Sequence, residues 1–143
     1  MKSTRKDLGF KVASAVHRTL YRRTGGRVGG RVAGCPVLLL TTTGRTTGKP
    51  RTTPLLDLAD GDRLVIVASK GGDDRSPGWY RNLKANPEVE VQAGRNVRRM
   101  RAATASGAEH DELWGKVTKM YPPYETYQSK TRRRIPLVIL SPV

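Results

Sequence analysis

The sequence predicts an α+β domain: a mostly antiparallel six-stranded sheet with an N-terminal helix and two or three further short helices. Three observations carry this expectation. The apolar pattern has helical spacing near the N-terminus and becomes strand-like after Cys35. The strand-like runs are joined by short turn signals, Asp60-Gly61-Asp62 and Ala93-Gly94-Arg95-Asn96, which make hairpins and not helical crossovers. The 143 residues amount to about one domain and show no internal repeat. A sheet of this kind with hairpin connections suggests a small closed or split barrel.

Leu8, Val12, Val16 and Leu20 recur at helical spacing, so residues 1–23 read as a helix. Lys2, Arg5, Lys6, Lys11, Arg18, Arg22 and Arg23 make it basic, so it can lie on an anionic membrane or pack its stripe on its own domain. Lys11 and Arg18 interrupt any signal-peptide core. Residues 24–34, TGGRVGGRVAG, hold five glycines and read as a linker or irregular crossing. The expected division is therefore a basic helix and linker at 1–30 and a folded domain at 31–143.

Within that domain, PVLLLTTT at 36–43 reads as a buried strand. RTTPLLDLA at 51–59 returns beside it, with Pro54 marking an edge or a bulge. RLVIVAS at 63–69 completes a meander. Ser76 is expected to cap a short helix with Pro77 in its first position and Trp79, Tyr80 and Leu83 facing inward. Strands follow at 88–92 and 97–105, then a helix at 107–121 that aligns Leu113, Val117 and Met120. PPYETYQSKTRR is a loop or short helix, and IPLVILSP at 135–142 is the last strand.

The charge narrows the functional classes. A net +15 and a pI near 10.8 call for an anionic partner: nucleic acid, an anionic membrane or a polyanionic small molecule. One cysteine, Cys35, excludes an internal disulfide and fits a reducing cytoplasm; it reads as a small buried apolar residue. His17 and His110 have no second ligand at helical spacing, so no metal site is expected.

The turn TTTGRTTGKPR at 41–51 resembles a nucleotide-binding loop and fails as one. Gly44 and Gly48 enclose one residue too few, and Pro50 stands where a Walker loop needs Ser or Thr. What remains is a glycine-rich turn with hydroxyls and amides, flanked by Arg45, Lys49 and Arg51, which suits an anion of another kind. No dinucleotide fingerprint joins a strand to a helix. At ASKGG, residues 68–72, small side chains let a planar ligand approach the backbone while Ser69 and Lys70 offer a hydroxyl and a cation. Tyr121, Tyr124 and Tyr127 share a face if their stretch is helical, and can wall an apolar slot or serve as a packing face.

Four blocks in register, LLLTTTGRTTGKPRTTPL, VIVASKGG, PGWYRNLKANPEVEVQ and MYPPYETYQSKTRRRIPLVILSP, resemble the deazaflavin (F420)-dependent nitroreductase family of actinobacterial oxidoreductases. The resemblance spans residues 35–143. It implies a split β-barrel that binds F420, a deazaflavin with a phosphate and an oligoglutamate tail, in a basic groove. By position it implies cofactor binding by Arg45, Thr46, Thr47, Gly48, Lys49, Pro50 and Arg51, by Ala68, Ser69, Lys70 and Gly71, by Trp79, Tyr80, Asn82 and Leu83, and by Tyr124. Tyr121, Tyr124 and Tyr127 are implied at the substrate slot, with Tyr124, Ser69 and Tyr127 as candidate catalytic groups. The family often carries Lys where this chain has Thr46, and Lys49 is expected to replace part of that charge.

The resulting expectation is hydride transfer from reduced F420 to a quinone-like or other conjugated acceptor, menaquinone being one candidate, with nitro-group reduction as a side activity. The location expected is cytoplasmic, on the inner face of the membrane, and a homodimer is expected from exposed strand edges. The alternatives are an F420 carrier without turnover, an FMN enzyme of the same fold, and, remotely, a basic nucleic-acid-binding module.

Overall fold

The apolar strand Cys35–Thr43 (β2) organises the molecule, because both of its faces are covered. The computed structural model describes the backbone of residues 5–27 and 29–143, and side chains from residue 15 onward. Leu38 and Leu40 point into the barrel; Val37 and Leu39 point outward beneath Tyr21 of the helix Arg5–Thr24 (α1). A continuous apolar run is what burial on two faces demands.

The remaining elements are β1 (Arg31–Val32), β3 (Pro50–Leu56), β4 (Leu58–Asp60), β5 (Arg63–Val67), α2 (Gly78–Ala85), β6 (Glu88–Ala93), β7 (Asn96–Thr104), α3 (Gly107–Met120), α4 (Pro123–Ser129) and β8 (Leu137–Pro142). Among the described residues there are eight strands and not six. Two causes account for the difference. The glycine-rich segment adds the two-residue β1, and the stretch 50–60 breaks at Asp57 into β3 and β4. That break closes the fold. Leu56 pairs with Val37 of β2, and Leu58 pairs with Val65 of β5, so one bent stretch links both ends of the order β2-β6-β7-β8-β5. The result is a split barrel. Pro54 is tolerated because β3 pairs only with β2.

Gly61 and Gly94 take positive φ in the two-residue hairpin loops, as the Asp-Gly and Ala-Gly signals require. The interior holds Leu38, Leu40, Ile66, Val91, Met100 and Leu140, and α2 plugs one end with Trp79, Tyr80 and Leu83. On the outer face of β5 and β8, Leu113 and Val117 of α3 and Tyr124 of α4 cover Val65, Val67, Leu137 and Ile139. Two local expectations shift. Pro77, not Ser76, is the N-cap of α2. The segment 123–129 is helical, which brings the tyrosines together.

The stripe on α1 is not the face that packs. Tyr21 is buried, whereas Val16 is 54% and Leu20 42% exposed. The side chains of Leu8 and Val12 lie outside the described residues.

Candidate functional site

The turn after β2 is built by its own backbone. Gly44 N–H donates to Lys49 O at 2.8 Å, and Gly48 N–H donates to Gly44 O at 2.8 Å. A Cβ on Gly44 would lie 2.7 Å from Thr47 Oγ1 and 3.1 Å from Lys49 O, so only glycine fits. Thr47 Oγ1 accepts the Lys49 N–H at 3.2 Å. Asn82, buried on α2, clamps the turn from below: its Oδ1 accepts from Arg45 N–H at 3.2 Å and Arg45 Nη1 at 2.8 Å, and its Nδ2 donates to Thr42 Oγ1 at 3.2 Å. Among the described residues, the turn amides of Thr46 and Thr47 keep no protein partner. Arg45, Thr46, Thr47 and Arg51 line a groove of about 490 Å³ with Trp79 and Asn82. Exposed cations beside unpaired amides make a site for an anion.

This groove runs into a second, larger cleft of about 590 Å³, with Thr53, Gly78 and Trp79 lining both. Ser69, Lys70 and Gly71 line it on one side. Gly71 and Gly78 present bare backbone: a Cβ on either would meet nothing within 4 Å. Lys70 takes φ +46°, an uncommon conformation for a side-chain-bearing residue, and begins a left-handed run with Gly71 and Gly72. The tyrosines form another wall. Ring centroids are 4.9 Å apart for Tyr121–Tyr124 and 6.1 Å for Tyr124–Tyr127, and the Tyr121 and Tyr127 hydroxyls lie 3.4 Å apart. Burial pushes the Tyr124 phenol above its ordinary value, with a smaller contribution from Tyr121. Tyr121 is raised chiefly by its hydrogen bond to Tyr127.

Not every residue expected at the site reaches it. Tyr80 and Leu83 face the barrel core, with the Tyr80 hydroxyl 3.0 Å from Thr104 Oγ1; neither lines the groove or the cleft, because inward burial claims them. Gly48 and Pro50 line a separate hollow with Arg98 and Arg99, and Lys49 is exposed and lines neither the groove nor the cleft. Ala68 is buried and contributes only backbone.

Three residues matter here that the sequence did not single out. Arg133 donates to three backbone carbonyls of the 68–73 loop: Ala68 O at 3.1 Å, Ser69 O at 2.9 Å and Asp73 O at 2.8 Å. Its neighbours Arg132 and Arg134 are exposed, so nothing in the run TRRR marks the middle arginine. His17 lines the cleft from α1. Asp57, at the bend, is buried with Oδ1 unpartnered, and burial raises its carboxyl to about 6. Asp73 goes the other way, held at about 2 by hydrogen bonds from the Arg75 side chain and backbone. Among the described residues, no group of three His, Cys, Asp or Glu could hold a metal ion.

A joined anion groove and planar cleft on a split barrel is the setting in which sequence kinship becomes informative. Residues 13–142 match the family model described as F420H2-dependent quinone reductase. The chain belongs to that family. It is 48% identical over 132 residues to an F420H2-dependent quinone reductase of Mycobacterium tuberculosis H37Rv, covering 88% of this chain and 87% of the relative. Among solved structures it is similar to an F420H2-dependent reductase, FDR-A, with a TM-score of 0.69 and 44% identity over 74% of this chain and 94% of that one. A domain-swapped dimer matches with a TM-score of 0.72 and 36% identity over 96% of this chain and all of the other.

Family membership makes the chain an F420-dependent oxidoreductase. The residues present fit that cofactor. The cationic groove suits a phosphate with a carboxylate tail, and the bare glycines leave a cradle for a flat ring that any Cβ would partly fill.

Proposed function

We propose that this protein reduces a quinone-like acceptor with reduced F420 bound along the groove and cleft. The observation that carries the reading is the continuity of the cationic groove with the glycine-floored cleft at Thr53, Gly78 and Trp79. When bound, the cofactor supplies a hydride from C5 of its ring. Arg45, Arg51 and the amides of Thr46 and Thr47 bind its phosphate and tail. Ser69, Lys70, Gly71 and Trp79 wall the ring and exclude water. Tyr121, Tyr124 and Tyr127 border the acceptor. Because burial makes the Tyr124 phenol a weaker acid, Tyr124 suits orienting the acceptor better than protonating it. Reduction of flat nitro compounds fits the same slot.

Titration of the purified protein with F420 and with FMN, followed by fluorescence, tests this. F420 binding with quinone turnover is expected. FMN binding alone overturns the reading, and F420 binding without turnover reduces the protein to a carrier. Nucleic-acid binding would appear as duplex or single-strand competition for the groove.

The approach to the cleft suits a lipid quinone such as menaquinone. Val16, Leu20 and Val32 are exposed among Arg22, Arg23, Arg27 and Arg31, which favours an anionic bilayer. The contact we propose is peripheral, on the inner face of the membrane; no helix among the described residues is long and apolar enough to cross one. Deleting residues 1–30 should abolish sedimentation with anionic vesicles; retained sedimentation refutes this. A homodimer follows the domain-swapped relative, and light scattering tests it.

A further inference from the structure

The glycine-rich segment after α1 folds back on the helix and fixes one side chain at the cleft. His17 Nε2 stands 2.6 Å from Gly29 O, and a carbonyl can only accept, so Nε2 carries a proton. Gly29 has φ +78°, and a Cβ there would lie 2.5 Å from His17 Cδ2 and 2.7 Å from Nε2. A Cβ on Gly30 would lie 2.0 Å from Gly26 O. The bare backbone of this segment is therefore what lets the imidazole lie where it does. Nδ1 has no hydrogen-bond partner among the described residues.

The tyrosines of the cleft are less suited to give a proton to an acceptor, and Ser69 and Lys70 also line it. Tyr121 and Tyr127 face each other's hydroxyls, and the buried Tyr124 phenol holds its proton firmly. Among the described residues, the other titratable groups that line the cleft with His17 are Lys70, Tyr121, Tyr124 and Tyr127. Among the described residues, no Asp or Glu lines the cleft. Imidazole is also the side-chain type that exchanges protons most readily near neutral pH.

We propose that His17 is the proton donor to the acceptor, with its Nδ1 hydrogen-bonded to a carbonyl oxygen of the quinone. The inference rests on the quinone-reductase reading and makes α1 and the glycine-rich segment part of the acceptor site. Reduction of a quinone to the quinol takes up one hydride and one proton. The hydride comes from the reduced cofactor, which leaves oxidised. The proton comes from His17: the Nδ1–H bond breaks, an O–H bond forms, and solvent reprotonates Nδ1.

Two variants test it, each compared with wild type by thermal melting to establish folding. His17→Gln keeps an N–H for Gly29 O and loses the acid; His17→Phe loses both. F420 affinity should be unchanged in both. With 1,4-naphthoquinone, kcat/KM should fall about 100-fold, the lower end of general acid catalysis. Naphthoquinone binding to the cofactor-free protein, followed by tryptophan quenching with Trp79 in the cleft, should weaken about fivefold, the worth of one hydrogen bond; naphthalene binding should not change. A wild-type kcat/KM in His17→Gln overturns the proposal. Should wild type fail to bind F420, the cofactor reading falls, and equal naphthoquinone affinity in wild type and His17→Gln still overturns the role of His17. If His17→Phe does not fold, His17→Gln decides alone.

Discussion

Replacing Asp57 by asparagine should make stability less sensitive to pH, and the structure sets the size of the effect. Asp57 is 7% exposed, its Oδ1 has no partner, and burial raises its carboxyl from 3.8 to about 6. The folded state therefore holds the proton more tightly than the unfolded chain. Below the unfolded value both states are protonated and there is no charge penalty. As pH rises from 3.8 to about 6, the unfolded chain ionises first and stability is lost; above about 6 the loss is complete. That displacement corresponds to about 3 kcal/mol at most. Asparagine carries its own cost for a buried amide, roughly 1–3 kcal/mol, but this cost does not vary with pH and cancels in a comparison across pH. Urea unfolding of wild type and Asp57→Asn at about pH 4 and about pH 8 measures the difference. The variant should gain about 2–3 kcal/mol relative to wild type between the two conditions. A relative stability that is the same at both, within about 0.5 kcal/mol, refutes the argument that a buried carboxylate is ionised at the bend.

Three further outcomes follow from the site. Arg133→Met removes donors from Ala68, Ser69 and Asp73 carbonyls and should cost about 2–4 kcal/mol in urea unfolding, with weaker F420 binding; a loss under about 0.5 kcal/mol refutes its hold on the loop. Arg51→Ala should weaken F420 binding about tenfold, an effect that shrinks at high salt and for cofactor with a shorter tail; unchanged affinity at low salt removes Arg51 from the groove. Tyr124→Phe should lower quinone turnover several-fold with little change in F420 affinity, since the ring and its packing persist; equal turnover excludes the phenol from acceptor orientation.

The strands were legible because each burial pattern repeats locally. Residues 37–40 are continuously apolar and prove to be covered on both faces, and the hairpins at Gly61 and Gly94 stand where Asp-Gly and Ala-Gly place them. The turn at 44–49 was legible because Gly44 and Gly48 shape it within a few residues of each other. The tyrosine wall was legible in the same way, once its stretch became helical. Tyr80 and Leu83 show the limit of carrying roles over by position: the short helix was expected, but its rotation puts them in the core and leaves Trp79 to serve both the core and the groove.

The sequence by itself determined the charge, the hairpin order, the glycine-rich turn and the family, because each is written in contiguous residues. Only the tertiary structure decided that the stretch 50–60 bends at Asp57 to close the barrel, and that Arg133 gathers three carbonyls of the 68–73 loop. It also decided that His17 reaches the cleft, 12 residues from the glycine that holds it and far in sequence from the tyrosines that line the same cleft. The physical reason is common to all three. A bend, a buried charge and a cleft wall depend on what packs against them from distant strands and helices, and a one-dimensional pattern carries no record of which distant groups meet.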